Sequence, residues 1–198
     1  MPKQFSYPGI LRFLFQEKAI LIAALVFCTV CTAIGMLLPR DIQALFMEPL
    51  MAKFEGMGFN APEIFVNNLR GSGVIVLGGF ILAIASFAMT GLNFLVLGCA
   101  MNYFAPERTS GDMLIMLLPH GIIELPAIVL SLVAGIYIAR AVVFKLKNGG
   151  GFPERVSEYL LQAAALFILV VIPMLIAASL IEVYISPVIA GLVTGGGD

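Results

Sequence analysis

Tryptophan is absent from this 198-residue chain, and histidine occurs once, at His120. Without tryptophan, any aromatic belt at a membrane–water interface falls to tyrosine and phenylalanine. Charge is scarce too: charged residues make up 12% of the chain, against roughly a quarter in soluble domains. The formal net charge of −1 leaves no electrostatic footprint for nucleic acid. A single histidine also narrows the chemistry. There is no H-E-x-x-H zinc pattern, no serine or cysteine nucleophile has a histidine nearby in sequence, and no motif asks for a cofactor.

What fills the space is apolar. Hydrophobic residues reach 61% of the chain, and the mean hydropathy is +1.05. That composition belongs to a polytopic membrane protein whose first partner is the lipid bilayer.

The cysteines Cys28, Cys31 and Cys99 all lie inside apolar runs. Cys28 and Cys31 have C-x-x-C spacing, but no strand–helix pattern of a redox domain surrounds them. On a helix, Ala24, Cys28, Cys31 and Gly35 form one stripe of small residues, the kind that lets transmembrane helices approach closely. Packing is the reading we give them, because buried thiols behave as small hydrophobes.

Taken in order, residues 1–18 carry Lys3, Arg12 and Lys18 against Glu17, with Ile10, Leu14 and Phe15 in a short amphipathic lead-in. Residues 19–38 are free of charge and long enough to span a bilayer. Pro39-Arg40-Asp41 is a poor signal-peptide cleavage site, so this helix is expected to stay. From 40 to 71, Ile42, Leu45, Phe46, Leu50, Phe54 and Met57 recur at helical spacing. This predicts an extracytoplasmic amphipathic loop at 40–71, lying on the membrane or on the bundle. Met47, Met51 and Met57 suit an adaptable contact surface there.

Residues 74–104 carry no charge and exceed one ordinary span. Thr90-Gly91-Leu92-Asn93 offers turn formers. The block is therefore expected to divide into 73–89 and 92–105, the second being a short span or a re-entrant element. Further spans are expected at 122–144 and at 158–182, where Pro173 would kink the helix. The fold class is all-α: a polytopic transmembrane helix bundle of about five spans, one of them broken or re-entrant, plus an amphipathic interfacial helix. All of it forms a single membrane domain over 1–198.

The organising stretch is Leu118-Pro119-His120-Gly121-Ile122-Ile123-Glu124-Leu125-Pro126-Ala127. It places the histidine four residues from a carboxylate at the mouth of a long apolar run. Ionisable groups at such a position are costly unless something pairs with them. Ala127, Ser131, Gly135 and Ala139 follow at intervals of four. If the helix reaches back to residue 120, His120 and Glu124 share the face of these four small residues and turn into the bundle. Pro119, Gly121 and Pro126 allow another geometry, in which the helix starts near Leu125 and 120–124 is a loop. Glu182 is a second carboxylate near membrane depth. Asn67, Asn68 and Asn93 supply amides near the same depth. A polar intramembrane site is thus expected from Asn67, Asn68, Asn93, His120, Glu124 and Glu182, with Ala127, Ser131, Gly135 and Ala139 packing the helix.

Basic residues prevail before the first span and in the 140–155 loop, which the positive-inside rule places in the cytoplasm. Five crossings then leave the N-terminus cytoplasmic and the C-terminus extracytoplasmic in a multi-pass cell-membrane protein. The Glu124 and Glu182 ends fall on the outer side.

The Leu118–Ala127 block resembles the signature of the stage II sporulation protein M family. Ile64-Phe65-Val66-Asn67-Asn68-Leu69-Arg70 resembles that family's segment ahead of its second span, and Ile181-Glu182-Val183-Tyr184-Ile185-Ser186-Pro187 looks like its closing motif. One departure is Phe94 after Asn93, where the family pattern leads us to expect glycine. The resemblance implies a polytopic membrane protein. In spore formers the founding member joins membrane and cell-wall hydrolase proteins during engulfment of the forespore, whereas many relatives occur in organisms that never sporulate.

Three functions follow as expectations. The first is a non-enzymatic scaffold or anchor in a membrane complex, with a protein partner or a second copy of the chain. The second is a transporter or permeation protein with a polar site at His120, Glu124 and Glu182, because polar groups at helix breaks are what transporter sites use. The third is a metal-dependent membrane-embedded hydrolase, since His120 and Glu124 have ligand spacing on a helix. One histidine and two glutamates fit zinc poorly, so the scaffold leads.

Overall fold

The computed structural model describes residues 7–56, 60–104, 110–148, 154–186 and 188. The side chains at 7, 8, 11, 13, 16, 53–56 and 110–120 lie outside the described set.

The described chain is helical throughout. An amphipathic helix, α1 (Tyr7–Gln16), leads into α2 (Lys18–Leu37). Helix α3 (Arg40–Gly56) is followed by α4 (Ala61–Leu77), a 3-10 turn (Gly78–Ile81), α5 (Ile84–Tyr103) and the 38-residue α6 (Ser110–Lys147). The last run is α7 (Glu154–Leu166), a π turn (Phe167–Val171) and α8 (Ile172–Tyr184). Five of these runs are long and apolar enough to cross a membrane: Lys18–Leu37, Ala61–Ile81, Ile84–Tyr103, Gly121–Lys147 and Glu154–Tyr184.

Particular contacts fix the direction of each span. Arg140 near the end of α6 meets Glu17 at the start of α2, so these helices run antiparallel. Tyr159 stacks near Tyr137, and Arg155 sits over Phe144, so α7 runs antiparallel to α6. Gly79 lies against Gly135 and Ile138, while Phe65 and Leu69 pack near Ala127 and Leu130. Helix α4 therefore runs parallel to α6. Helices α2 and α5 are parallel neighbours: Gly91 lies on Phe27 and Cys31, and Gly98 on Thr32 and Met36. Cys31 and Gly35 of the small-residue stripe face this contact, and all three cysteines are free thiols.

Charge separates along the bundle. Among the described residues, Arg12, Lys18, Arg140, Lys145, Lys147 and Arg155 sit at one end against Glu17, Glu154 and Glu158. Toward the other end Asp41, Glu48, Glu63, Glu124 and Glu182 face Arg40 and Arg70.

Two boundaries differ from expectation. The 73–89 and 92–105 segments do not meet at Thr90–Asn93. Helix α5 passes straight through those residues and is long and apolar enough to cross a membrane. Asn93 satisfies its amide on its own helix, donating to the Met89 carbonyl at 2.8 Å, and Gly91 is a contact point. The break lies instead at Leu82 and Ala83, which both take left-handed backbone (φ 56° and 61°). Such angles are uncommon for residues other than glycine. Packing holds the turn: the buried Ser86 hydroxyl donates to the Ile75 carbonyl at 2.6 Å. A Cβ on Gly78 would lie 2.5 Å from the Ser86 nitrogen, so α4 and α5 converge here.

The amphipathic loop expected at 40–71 ends near residue 60, where a new helix begins. Asn60 caps α4 by accepting from the Glu63 N–H at 3.0 Å, with a proline in the first turn. This is the arrangement that favours a helix start. Asn67, Asn68 and Arg70 therefore lie inside a span rather than ahead of it. Met57 falls outside the described residues. In α6 the helix runs through Pro119 and Pro126, so of the two geometries open for 120–124 the helical one holds. In the last span the π turn stands immediately before Pro173, where a proline removes a backbone donor.

Candidate functional site

Helices α4, α6 and α8 pack against one another. Their shared contact is an apolar plug of Ala127, Val171 and Leu175, with Phe65, Leu69 and Leu130 around it. Polar residues lie on the same helix faces, toward the acidic end. Asn68 belongs to the inward stripe of α4 that includes Ala61, Ile64, Ser72 and Ile75. Glu124 precedes Ala127 by about one turn of α6, and Glu182 follows Leu175 by about two turns of α8. Because α8 is antiparallel to α6, both carboxylates lie toward the same end.

One carboxylate oxygen of Glu124, one of Glu182 and the amide nitrogen of Asn68 are enclosed by protein. Asn67 is exposed, and its amide donates to the Asn68 side-chain oxygen at 3.5 Å. The structure thus brings Asn67, Asn68, Glu124 and Glu182 to one end of a three-helix contact. Position 120 lies one turn before Glu124 on α6, and the His120 side chain is outside the described residues. Asn93 stands apart on an exposed face of α5. Among the described residues, no group of three His, Cys, Asp or Glu side chains could hold a metal ion.

Below the polar end, Ala127, Ser131, Gly135 and Ala139 are all buried. Ser131 turns its hydroxyl back to the Ala127 carbonyl at 2.8 Å, so it adds no free polar group to the contact. A Cβ on Gly135 would come within 2.8 Å of the Ile75 carbonyl oxygen. Only glycine lets α4 approach α6 this closely.

Two further groups matter that sequence reasoning did not single out. Gln43 of α3 is fully buried, and its amide donates to the Gly35 and Leu38 carbonyls at 3.2 and 3.0 Å. It therefore serves the carbonyls that the end of α2 leaves without helical partners. The signal was a lone glutamine in a stripe with Met47, four residues on. The second is Arg140, whose guanidinium bonds Glu17 at 3.2 Å and lies 5.4 Å from the centre of the Tyr137 ring. Its distance from Glu17 in sequence hid the pair.

In α3, Gln43 and Met47 face the bundle, while Ile42 and Leu45 point away from it. Leu45 is 72% exposed.

These features define a polytopic α-helical membrane protein with an enclosed polar cluster at one end. The chain belongs to the stage II sporulation protein M family, whose model matches residues 20–187. A protein of Methanocaldococcus jannaschii, described only as uncharacterized, is 30% identical over 136 residues, covering 67% of this chain and 74% of that one. No solved structure matches the chain.

Proposed function

We propose that this protein is a non-enzymatic membrane scaffold that presents α3 to a protein partner or a second copy of the chain, with its basic end in the cytoplasm. The observation that carries this is the outward apolar face of α3. Gln43 and Met47 lock one side of the helix to the bundle, which fixes Ile42 and Leu45, one turn apart, on the other. An isolated apolar side chain needs no explanation, but two a turn apart on a clamped helix form a small presented surface. The basic residues at the α1 end support a cytoplasmic N-terminus and an extracytoplasmic C-terminus.

A photo-crosslinking residue at Leu45 tests the surface in native membranes. Adducts to one defined protein, or to a second copy, are the expected result. Adducts to lipid alone would overturn the scaffold reading. Labelling of cysteines introduced at Leu45 and Lys147 tests the orientation, with impermeant reagent expected to reach only Leu45→Cys from outside the cell.

A second reading, a transporter or permeation protein, is favoured by the enclosed oxygens of Glu124 and Glu182 beside Asn68. Polar groups inside a membrane bundle commonly mark a solute or proton path. Proteoliposomes carrying folded protein are expected to show Glu124-dependent flux of protons or a small cation under this reading; flux equal to that of empty vesicles would remove it.

A further inference from the structure

A groove of about 580 Å³ runs between α2 and α6, on the side of α6 away from Glu124. Leu21, Leu25 and Met36 of α2 face Pro126 and Val129 of α6 across it, with Phe94 of α5 at its floor. Its α6 wall is Leu125 to Leu130, while its α2 wall, from Leu21 to Met36, extends about 22 Å at the helical rise of 1.5 Å per residue. That is most of the roughly 30 Å hydrocarbon core. Thr29 and Thr32 also line it, but their hydroxyls donate to the Leu25 and Cys28 carbonyls at 2.9 and 3.0 Å. The walls therefore offer hydrocarbon and spend their hydroxyl donors on their own helix. A polar solute would find little to bind.

The foot of the groove is different. Lys18 lies one turn before Leu21 on the same face of α2, and it is exposed. Arg140 lies three turns beyond Val129 on the groove face of α6. Its side chain is 39% exposed, and the one salt bridge described for it takes a single guanidinium nitrogen to Glu17. Two cations thus stand beyond the Leu21 end of the groove, Lys18 one turn from it, with Glu17 on Arg140 as the local counter-charge.

We propose that this cleft binds one anionic phospholipid, its headgroup phosphate against Lys18 and Arg140 and one acyl chain in the α2–α6 groove. The charge at the foot selects the headgroup, and the apolar walls take the chain. Basic pockets between transmembrane helices on the cytoplasmic side bind anionic headgroups in this way. The site is independent of both the scaffold and the transport readings, and it survives if either fails.

Native mass spectrometry of the full chain released from detergent tests it, with phosphatidylglycerol and phosphatidylcholine as the probes. Wild-type protein is expected to retain one phosphatidylglycerol at least about tenfold more readily than phosphatidylcholine. Lys18→Gln should reduce that preference, and Lys18→Gln with Arg140→Gln should abolish it. Ala33→Phe, which fills the groove and leaves both cations in place, should lose the bound phosphatidylglycerol. Because Arg140→Gln also breaks the contact with Glu17, Lys18→Gln and Ala33→Phe keep the test decisive if the double variant fails to fold. Glycerol phosphate added in excess should not displace the lipid. Equal retention of both lipids by the wild type, unchanged retention by Ala33→Phe, or displacement by glycerol phosphate would each overturn the proposal.

Discussion

Arg140 reaches back across 123 residues of chain to place its Nη1 3.2 Å from Glu17 Oε1. The pair ties the end of α6 to the junction of α1 and α2. Both side chains are more than a third exposed, so solvent screens the attraction, and the pair itself contributes about 0.5 kcal/mol, within the range for exposed ion pairs. Arg140 also covers the Tyr137 ring, which adds a cation–π contact. Thermal unfolding in detergent is expected to show Arg140→Gln as more costly than Glu17→Gln, with a double-mutant coupling under about 1 kcal/mol. Equal costs would mean the ring contact contributes nothing.

Removing the Gln43 side chain should matter more. Gln43→Ala leaves carbonyls at the end of α2 without their buried donor, a loss on the order of 1–3 kcal/mol. The damage is expected to be local. Hydrogen exchange should rise along α3 while the middle of α2 stays protected, and unchanged exchange in α3 would show that Met47 alone holds the helix.

Glycines separate into two kinds, and substitution should tell them apart. A Cβ on Gly98 would meet the Thr32 carbonyl group and lie 2.9 Å from the Met36 nitrogen, all backbone that cannot move aside. Gly98→Ala is expected to force α2 and α5 apart and lower the melting temperature clearly. Gly71 has nothing within 4 Å, so Gly71→Ala should be neutral or stabilise α4 by up to about 1 kcal/mol. Similar melting curves for the two variants would contradict the close α2–α5 approach.

Glu124 invites a matched comparison with Ile122, which is exposed two residues earlier on the same helix. Glu124→Ala empties an enclosed polar position and uncovers the groups around it, whereas Ile122→Ala trims a side chain on the outer surface. The first is expected to cost on the order of 1–3 kcal/mol and the second much less. Indistinguishable melting temperatures would show that the polar cluster is not structural.

Much of this arrangement was readable from apolar runs alone, because a membrane span must be long, apolar and helical. The uncharged 19–38 run and the small-residue spacing of Ala127, Ser131, Gly135 and Ala139 needed only counting. The α4–α5 boundary was not readable that way. Asn93 and Gly91 look like turn formers, but one bonds its own helix and the other makes room for Phe27. The true break has its left-handed residues at Leu82–Ala83, neither of them a turn former, although Gly78-Gly79 opens the turn ahead of them, and it depends on tertiary contacts at Ser86. The start of α4 did carry a local signal: Asn60 followed by Pro62 and Glu63 is a helix cap. The mixed charge of the 40–71 stretch masked it. In the polar cluster, Asn68, Glu124 and Glu182 were visible as costly residues. Which helices would bring them together depended on α4 running parallel to α6, a long-range fact that no local pattern contains.

The parallel pairing of α2 with α5 has a consequence for how the protein is made. Helix α2 enters the bilayer early in synthesis, and the small-residue face around Gly35 then has no neighbour. Its partner surface at Gly98 emerges only after α3 and α4 have been threaded. Until then α2 must wait in lipid, or be shielded by the insertion machinery, with a surface shaped for a helix that does not yet exist. A nascent chain halted before residue 84 should therefore be held in that unfinished state and be open to the wrong neighbour.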